Sequence, residues 1–123
     1  MTPMTPENVA EAKAKVPAIT PEEASRLADV VFLDVREPSE VEASGKVAGA
    51  LNIPRGMLDV QADPSSPRRE AALDPTKTVV TYCGVGGRAA LAAARLKELG
   101  FADVRHMGGF KDWAEKGLPV ERG

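Results

Sequence analysis

One cysteine and one histidine stand in this 123-residue chain, and their scarcity removes whole classes of chemistry. With Cys83 alone, an intrachain disulfide cannot form and a cysteine-built zinc site is excluded. With His106 alone, a multi-histidine metal centre is excluded, and a Cys–His dyad can be assembled in only one way. Charge of either sign is nearly balanced: 16 Lys and Arg against 18 Asp and Glu leave a formal net charge of -2. That balance offers nucleic acid no basic footprint. No window approaches the roughly 18 apolar residues of a membrane span. The opening MTPMTPENVA has no charged region followed by an apolar stretch, so no secretory leader is expected and the chain reads as cytoplasmic.

What is present is ordinary globular material, 43% hydrophobic and 28% charged. A chain of this length makes one domain and hides roughly two-thirds of its unfolded surface. Thr5-Pro6-Glu7 and Thr20-Pro21-Glu22-Glu23 each place Thr at a helix N-cap and Pro at the first helical position. Glu23 completes a capping box with Thr20. The first helix is expected to run to about Lys15, where Val16-Pro17 stops it, because a residue before proline disfavours helical backbone. The second is expected over Pro21 to Ala28. Residues 1–16 read as an N-terminal helical extension, and 17–123 as the main domain.

Val30-Val31-Phe32-Leu33 is a continuous apolar run, as in a strand buried on both faces. Glu37 to Ala43 predicts a short helix, and Ala50 to Ile53 a second strand closed by Pro54. Arg55 to Pro75 reads as a surface excursion with one short helix near Arg68 to Leu73. Thr78 to Tyr82 is rich in β-branched residues and predicts a third strand. Arg88 to Leu99 follows as a long helix with Gly100 as its stop. Val104 to His106 predicts a short strand punctuated by Gly108-Gly109, and Phe110 to Lys116 a last helix. Strands alternating with helices imply an α/β fold with a mainly parallel central sheet.

Cys83 falls at the carboxyl end of a predicted strand, before Gly84-Val85-Gly86-Gly87 and the helix opened by Arg88. Ligands of open α/β sheets bind outside the carboxyl ends of strands. Glycines there let successive backbone N–H groups converge on one point. The helix start adds partial positive charge, and Arg88 is expected to add a full one. Such a cradle favours the thiolate of Cys83. It also favours a second anionic group attached to that sulfur. A lone cysteine after a strand is often only a small buried hydrophobe. The joint pattern of strand, Cys, three glycines in four residues, Arg and helix sets this one apart.

Tyr82-Cys83-Gly84-Val85-Gly86-Gly87-Arg88 resembles the active-site loop of the rhodanese superfamily. Three further segments resemble that family's motifs in the same order: Leu33-Asp34-Val35-Arg36-Glu37-Pro38, Gly45 to Pro54, and Gly108-Gly109-Phe110-Lys111-Asp112-Trp113. The resemblance spans about Ile19 to Val120 and leaves the N-terminal helix outside it. It implies a three-layer fold, with a mainly parallel central sheet flanked by helices on both faces. It implies a sulfurtransferase with no cofactor or metal. Cys83 would take sulfane sulfur from a donor such as thiosulfate and hold it as a persulfide. Gly84, Val85, Gly86, Gly87 and Arg88 would bind the substrate. Cyanide, a thiol or a protein acceptor would then remove the sulfur, a double displacement through a covalent intermediate.

Four residues separate Cys83 from Arg88. The family's sulfurtransferases have that spacing, whereas its phosphatases and arsenate reductases have one residue more, so the resemblance favours sulfur. A persulfide carrier or protein-docking module with little small-molecule turnover is the alternative, and a phosphatase or arsenate reductase a more distant one. Lys46 stands where the family commonly has His, and Ala89 where Ser or Thr is frequent. Asp34 and Arg36 are expected as a supporting, structural pair beside the site. His106 reads as a satisfied structural residue and not as a base. Trp113 and the small residues from Ala89 to Ala94 read as core. Arg55, Arg68 and Arg69 read as a solvated face.

Overall fold

The computed structural model describes residues 3–84 and 87–122. Two N-terminal caps form as their residues dictate. Thr5 accepts a hydrogen bond from the Asn8 N–H at the head of α1 (Pro6–Lys15). Thr20 and Glu23 close a reciprocal capping box on α2 (Pro21–Ser25). The second helix is therefore shorter than its expected end at Ala28. The chain leaves it through Arg26 and enters β1 (Val30–Asp34) by way of Asp29, whose φ is positive.

After β1 come α3 (Pro38–Ser44), β2 (Lys46–Val47) and β3 (Leu51–Asn52). A single 3-10 turn at Arg55–Met57 leads into α4 (Leu58–Gln61). Then follow β4 (Thr78–Cys83), α5 (Gly87–Glu98), β5 (Asp103–Gly109), α6 (Phe110–Glu115) and β6 (Val120–Glu121). Four strands form one parallel sheet in the order β3-β1-β4-β5. In that order β1 and β4 are central, and apolar residues dominate both.

Side chains alternate across the sheet, and each face has its own core. One face packs Leu33, Val35, Val79 and Cys83 against Leu58 of α4 and Ala89, Ala92, Ala93 and Leu96 of α5. Small residues along α5 let that helix lie close to the strands. The other face packs Val80, Tyr82 and Met107 against Ala24 of α2 and Phe110 and Trp113 of α6. Trp113 is core, as its position in the motif implies, and meets Phe32 edge-to-face at 5.2 Å. The helix α1 is seated on α5 through Val9, Ala12, Ala90 and Leu91. Behind it, residues 17–19 run along the outer edge of β5. The Ile19 N–H donates to the His106 carbonyl at 3.0 Å, and the His106 N–H to the Pro17 carbonyl at 3.1 Å. This covers an edge that would otherwise expose unpaired backbone groups.

Two expectations need correction. No helix forms near Arg68 to Leu73. Turns closed by Asp63, Ser66 and Glu70 hold that stretch, and the helical turns of the excursion come earlier, at 55–61. The strand at Val104–His106 continues through Gly108 and Gly109, with a register shift opposite Thr81/Tyr82, so the glycines belong to the strand and do not end it. A small antiparallel pair, β2 with β6, is legible in no alternation pattern because each strand has two residues.

Candidate active site

Cys83 is the last residue of β4, and its Cα pairs in register with Gly109 of β5. It sits at the carboxyl end of the central strands, where the sequence places it. The side chain projects to the α5 face and is fully buried within that face's core. Gly84 and Gly87 flank it, α5 starts at Gly87, and Val85 and Gly86 lie outside the described residues. The loop is pinned on two sides. The Thr81 hydroxyl donates to the Ala89 carbonyl at 2.8 Å, tying the strand to the first turn of α5. On the other side, Gly109 packs so closely that a Cβ there would collide with the Gly84 carbonyl oxygen.

Arg88 stands in the first turn of α5, within electrostatic reach of Cys83. Its charge, however, is not left open. Nη1 and Nη2 donate to Oε1 and Oε2 of Glu40 at 2.6 and 2.8 Å, a two-pronged pair joining α5 to α3. Such fork-to-fork pairing is the strongest geometry an arginine makes with a carboxylate. Glu40 Oε1 also accepts the Glu37 N–H at 3.0 Å, which closes the head of α3. Arg88, with help from that N–H, holds the Glu40 carboxyl at about 2, so the pair is ionised at any ordinary pH. The expectation that Arg88 adds a full charge to the cradle is thereby corrected, because Glu40 neutralises it. Sequence reasoning missed Glu40, and a carboxylate placed to cap α3 was the available signal.

Asp34 and Arg36 are brought together beside the loop. Arg36 donates from Nη2 to Asp34 Oδ2 at 2.7 Å and from Nε to Asp34 Oδ1 at 3.0 Å. Its other donors go to the Ser44 hydroxyl at 2.7 Å and the Gly45 carbonyl at 2.8 Å. Both side chains are buried, Asp34 completely. Every charge of this pair is satisfied within the protein, so it staples the end of β1 to α3 and to the turn after it. Arg36 also lies over the Phe110 ring, 4.7 Å from its centroid. Tyr82 accepts the Val47 N–H at 3.0 Å, and burial raises its phenol well above the ordinary value.

Lys46 donates to the Ala50 carbonyl at 2.9 Å and so braces its own turn. His106 is buried beside the Val16 backbone, away from the cysteine loop. Its Nε2 has no hydrogen-bond partner among the described residues, and burial lowers its proton affinity. No group of His, Cys, Asp and Glu among the described residues could hold a metal. No described helix is long and apolar enough to cross a membrane.

Comparison with known proteins agrees with this geometry. The family model described as rhodanese-like domain matches residues 20–116, which leaves α1 outside. Over 111 residues the chain is 34% identical to a probable adenylyltransferase/sulfurtransferase, MoeZ, of Mycobacterium tuberculosis, covering 86% of this chain and 26% of that protein. The chain thus spans about a quarter of the length of that curated relative. Among solved structures, a Rhodopseudomonas palustris protein of unknown function, described as a possible tyrosine phosphatase, superposes with a TM-score of 0.86 at 37% identity, covering 93% of this chain and 91% of that one. The polysulfide-sulfur transferase homodimer of Wolinella succinogenes superposes with a TM-score of 0.75 at 35% identity, covering 94% and 85%. With that family model matching residues 20–116, most of its length, the chain belongs to the rhodanese-like domain family.

Proposed function

We propose that this protein is a sulfurtransferase that moves sulfane sulfur from a thiosulfate-type donor to cyanide or a thiol through a persulfide on Cys83. The observation that carries this reading is the placement of Cys83. It ends a central parallel strand, directly before a glycine loop and a twelve-residue helix whose first turn presents Arg88. Peptide N–H groups of such a loop and the helix start stabilise negative charge on the sulfur, first as thiolate and then as persulfide. The thiolate attacks the outer sulfur of the donor, the donor's S–S bond breaks, and sulfite or a thiolate leaves. An acceptor then attacks the same outer sulfur and releases the Cys83 thiolate. Gly84, Val85, Gly86, Gly87 and Arg88 form the binding loop. Asp34 and Arg36 support it from below without touching substrate. The chain acts in the cytoplasm on this reading, with residues 1–16 as an extension whose helix α1 packs on α5.

The polysulfide-sulfur transferase among the similar structures supports sulfur chemistry. A tyrosine phosphatase role has been suggested for another. The spacing of four residues between Cys83 and Arg88 favours sulfur over phosphate on this reading. The test is turnover with thiosulfate and with inorganic polysulfide as donors and cyanide or glutathione as acceptor, in wild type and Cys83→Ser. The proposal expects transfer that disappears in the variant. Cys83-dependent hydrolysis of a phenyl phosphate, with no sulfur transfer, would overturn it. Loading of Cys83 that is discharged only by a protein acceptor would instead favour a persulfide carrier, as befits a domain found within longer relatives.

A further inference from the structure

The segment ahead of α1 folds back over the head of α5. Resting on the sulfurtransferase reading, we propose that Met4 is a positioning residue for the reaction at Cys83. It acts as a backstop for Gly87 and so keeps the first turn of α5, with Arg88, in place beside the cysteine.

The helix α1 has ten residues, too few to persist in water without tertiary packing. Its middle and its tail supply that packing. Val9 and Ala12 lie on Ala90 and Leu91, Lys97 Nζ donates to the Lys15 carbonyl at 3.3 Å, and Val16 is buried in the core. The head of α1 is built differently. Asn8 Nδ2 donates back to the Pro3 carbonyl at 2.8 Å, and the Val9 N–H donates to the Thr5 carbonyl at 2.9 Å. This fold-back sets Met4 over Gly87. A Cβ built on Gly87 would lie 3.5 Å from Met4 Sδ and 3.8 Å from Val9 Cγ2, so the space between them is one methyl group deep. Met4 is 52% exposed, so its burial contributes little to the fold. Its place at the head of α5 is what distinguishes it.

That head needs holding. The N–H groups of a first helical turn have no acceptors within the helix, and glycine is a poor helix former. Such a turn frays unless its surroundings confine it. On the sheet side the Thr81 hydroxyl holds the Ala89 carbonyl. On the α3 side Glu40 holds Arg88. Met4 and Val9 close the α1 side, so the turn is confined on three sides. The charge at a helix end falls off within one turn, so a small outward movement weakens its action on Cys83. The family match begins at residue 20, so this backstop belongs to the extension ahead of it.

The test uses the full-length chain and compares Met4→Ala, Met4→Leu and Lys97→Met with wild type. Single-turnover sulfuration of Cys83 is read by intact mass over a range of thiosulfate and of glutathione persulfide concentrations. Hydrogen exchange is followed over the first turn of α5. A misplacement of ~1 Å costs on the order of 100-fold in rate, and the shorter slack left by Met4→Ala should lower the maximal rate about fivefold. The half-saturating donor concentration should stay within about twofold, because the loss falls on reactivity and not on binding. The amides of the first turn should exchange faster. Met4→Leu refills the space and should restore both rate and protection. Lys97→Met loosens only the far end of α1 and should leave the maximal rate within about twofold of wild type. An unchanged maximal rate in Met4→Ala, or an equal fall in Lys97→Met, would overturn the proposal. Wild type that takes sulfur from neither donor would instead sink the sulfurtransferase reading, and hydrogen exchange would still decide whether Met4 holds the helix head.

Discussion

Gly109→Ala should damage the cysteine loop from the neighbouring strand, and Gly108→Ala should not. Gly109 has an ordinary negative φ, so alanine suits its backbone. The obstacle is steric. The new Cβ would collide with the Gly84 carbonyl oxygen and lie 3.1 Å from the Gly84 carbonyl carbon. Backbone cannot swing aside as a side chain can, so β5 and the residue after Cys83 must separate by more than about half an ångström. Overpacking of this kind costs about 1–3 kcal/mol. A displacement approaching 1 Å at the reacting group costs on the order of 100-fold in rate, so a loss of about 10- to 100-fold is expected in Cys83 sulfuration. Gly108 supplies the control. Its φ is +95° and a Cβ there meets nothing within 4 Å. Gly108→Ala should therefore cost about 1–2 kcal/mol of backbone strain and leave the sulfuration rate of the folded protein near wild type. Urea unfolding gives the stabilities, and single-turnover mass spectrometry gives the rates. Equal rates for Gly109→Ala and wild type would refute the claim that this close approach sets the loop.

Arg36→Met leaves Asp34 buried without its partner, and urea unfolding should show a loss of about 3–5 kcal/mol. Adding Asp34→Leu should recover much of it. Tyr82→Phe strands the buried Val47 N–H and should cost about 1–3 kcal/mol, with sulfuration of the folded variant unchanged. His106 is neutral in the fold, held below its ordinary 6.5 by burial and by the like charge of Lys13. As pH falls, the unfolded chain takes up that proton first. Stability should be full above pH 6.5 and decline as pH falls towards the lower folded value. In His106→Gln, equilibrium unfolding over pH 5–7 should show a flatter decline, and an identical slope would refute the assignment.

Much of the fold was legible because local signals agreed with the global answer. Thr5 and Thr20 cap where their hydroxyls can reach, and the apolar runs at Val30 and Val79 occupy the two central strands. The missed helix has a plain cause. The helix expected near Arg68 rested on composition alone, and Asp63, Ser66 and Glu70 spend their side chains on turns instead. The proposed nucleophile and its glycine loop were readable as a motif. The Arg88–Glu40 pair joins residues 48 apart, and the Gly109–Gly84 approach joins neighbouring strands. Contacts of that range leave no local periodicity. Arg36 and Asp34 were readable as a pair, but only packing reveals that both are enclosed.

The most direct test of the account is the intact mass of the protein after exposure to a persulfide or thiosulfate, taken without reductant. One added sulfur, removed by dithiothreitol and absent in Cys83→Ser, is the predicted result. An unchanged mass with both donors, on protein shown to be folded, would contradict it.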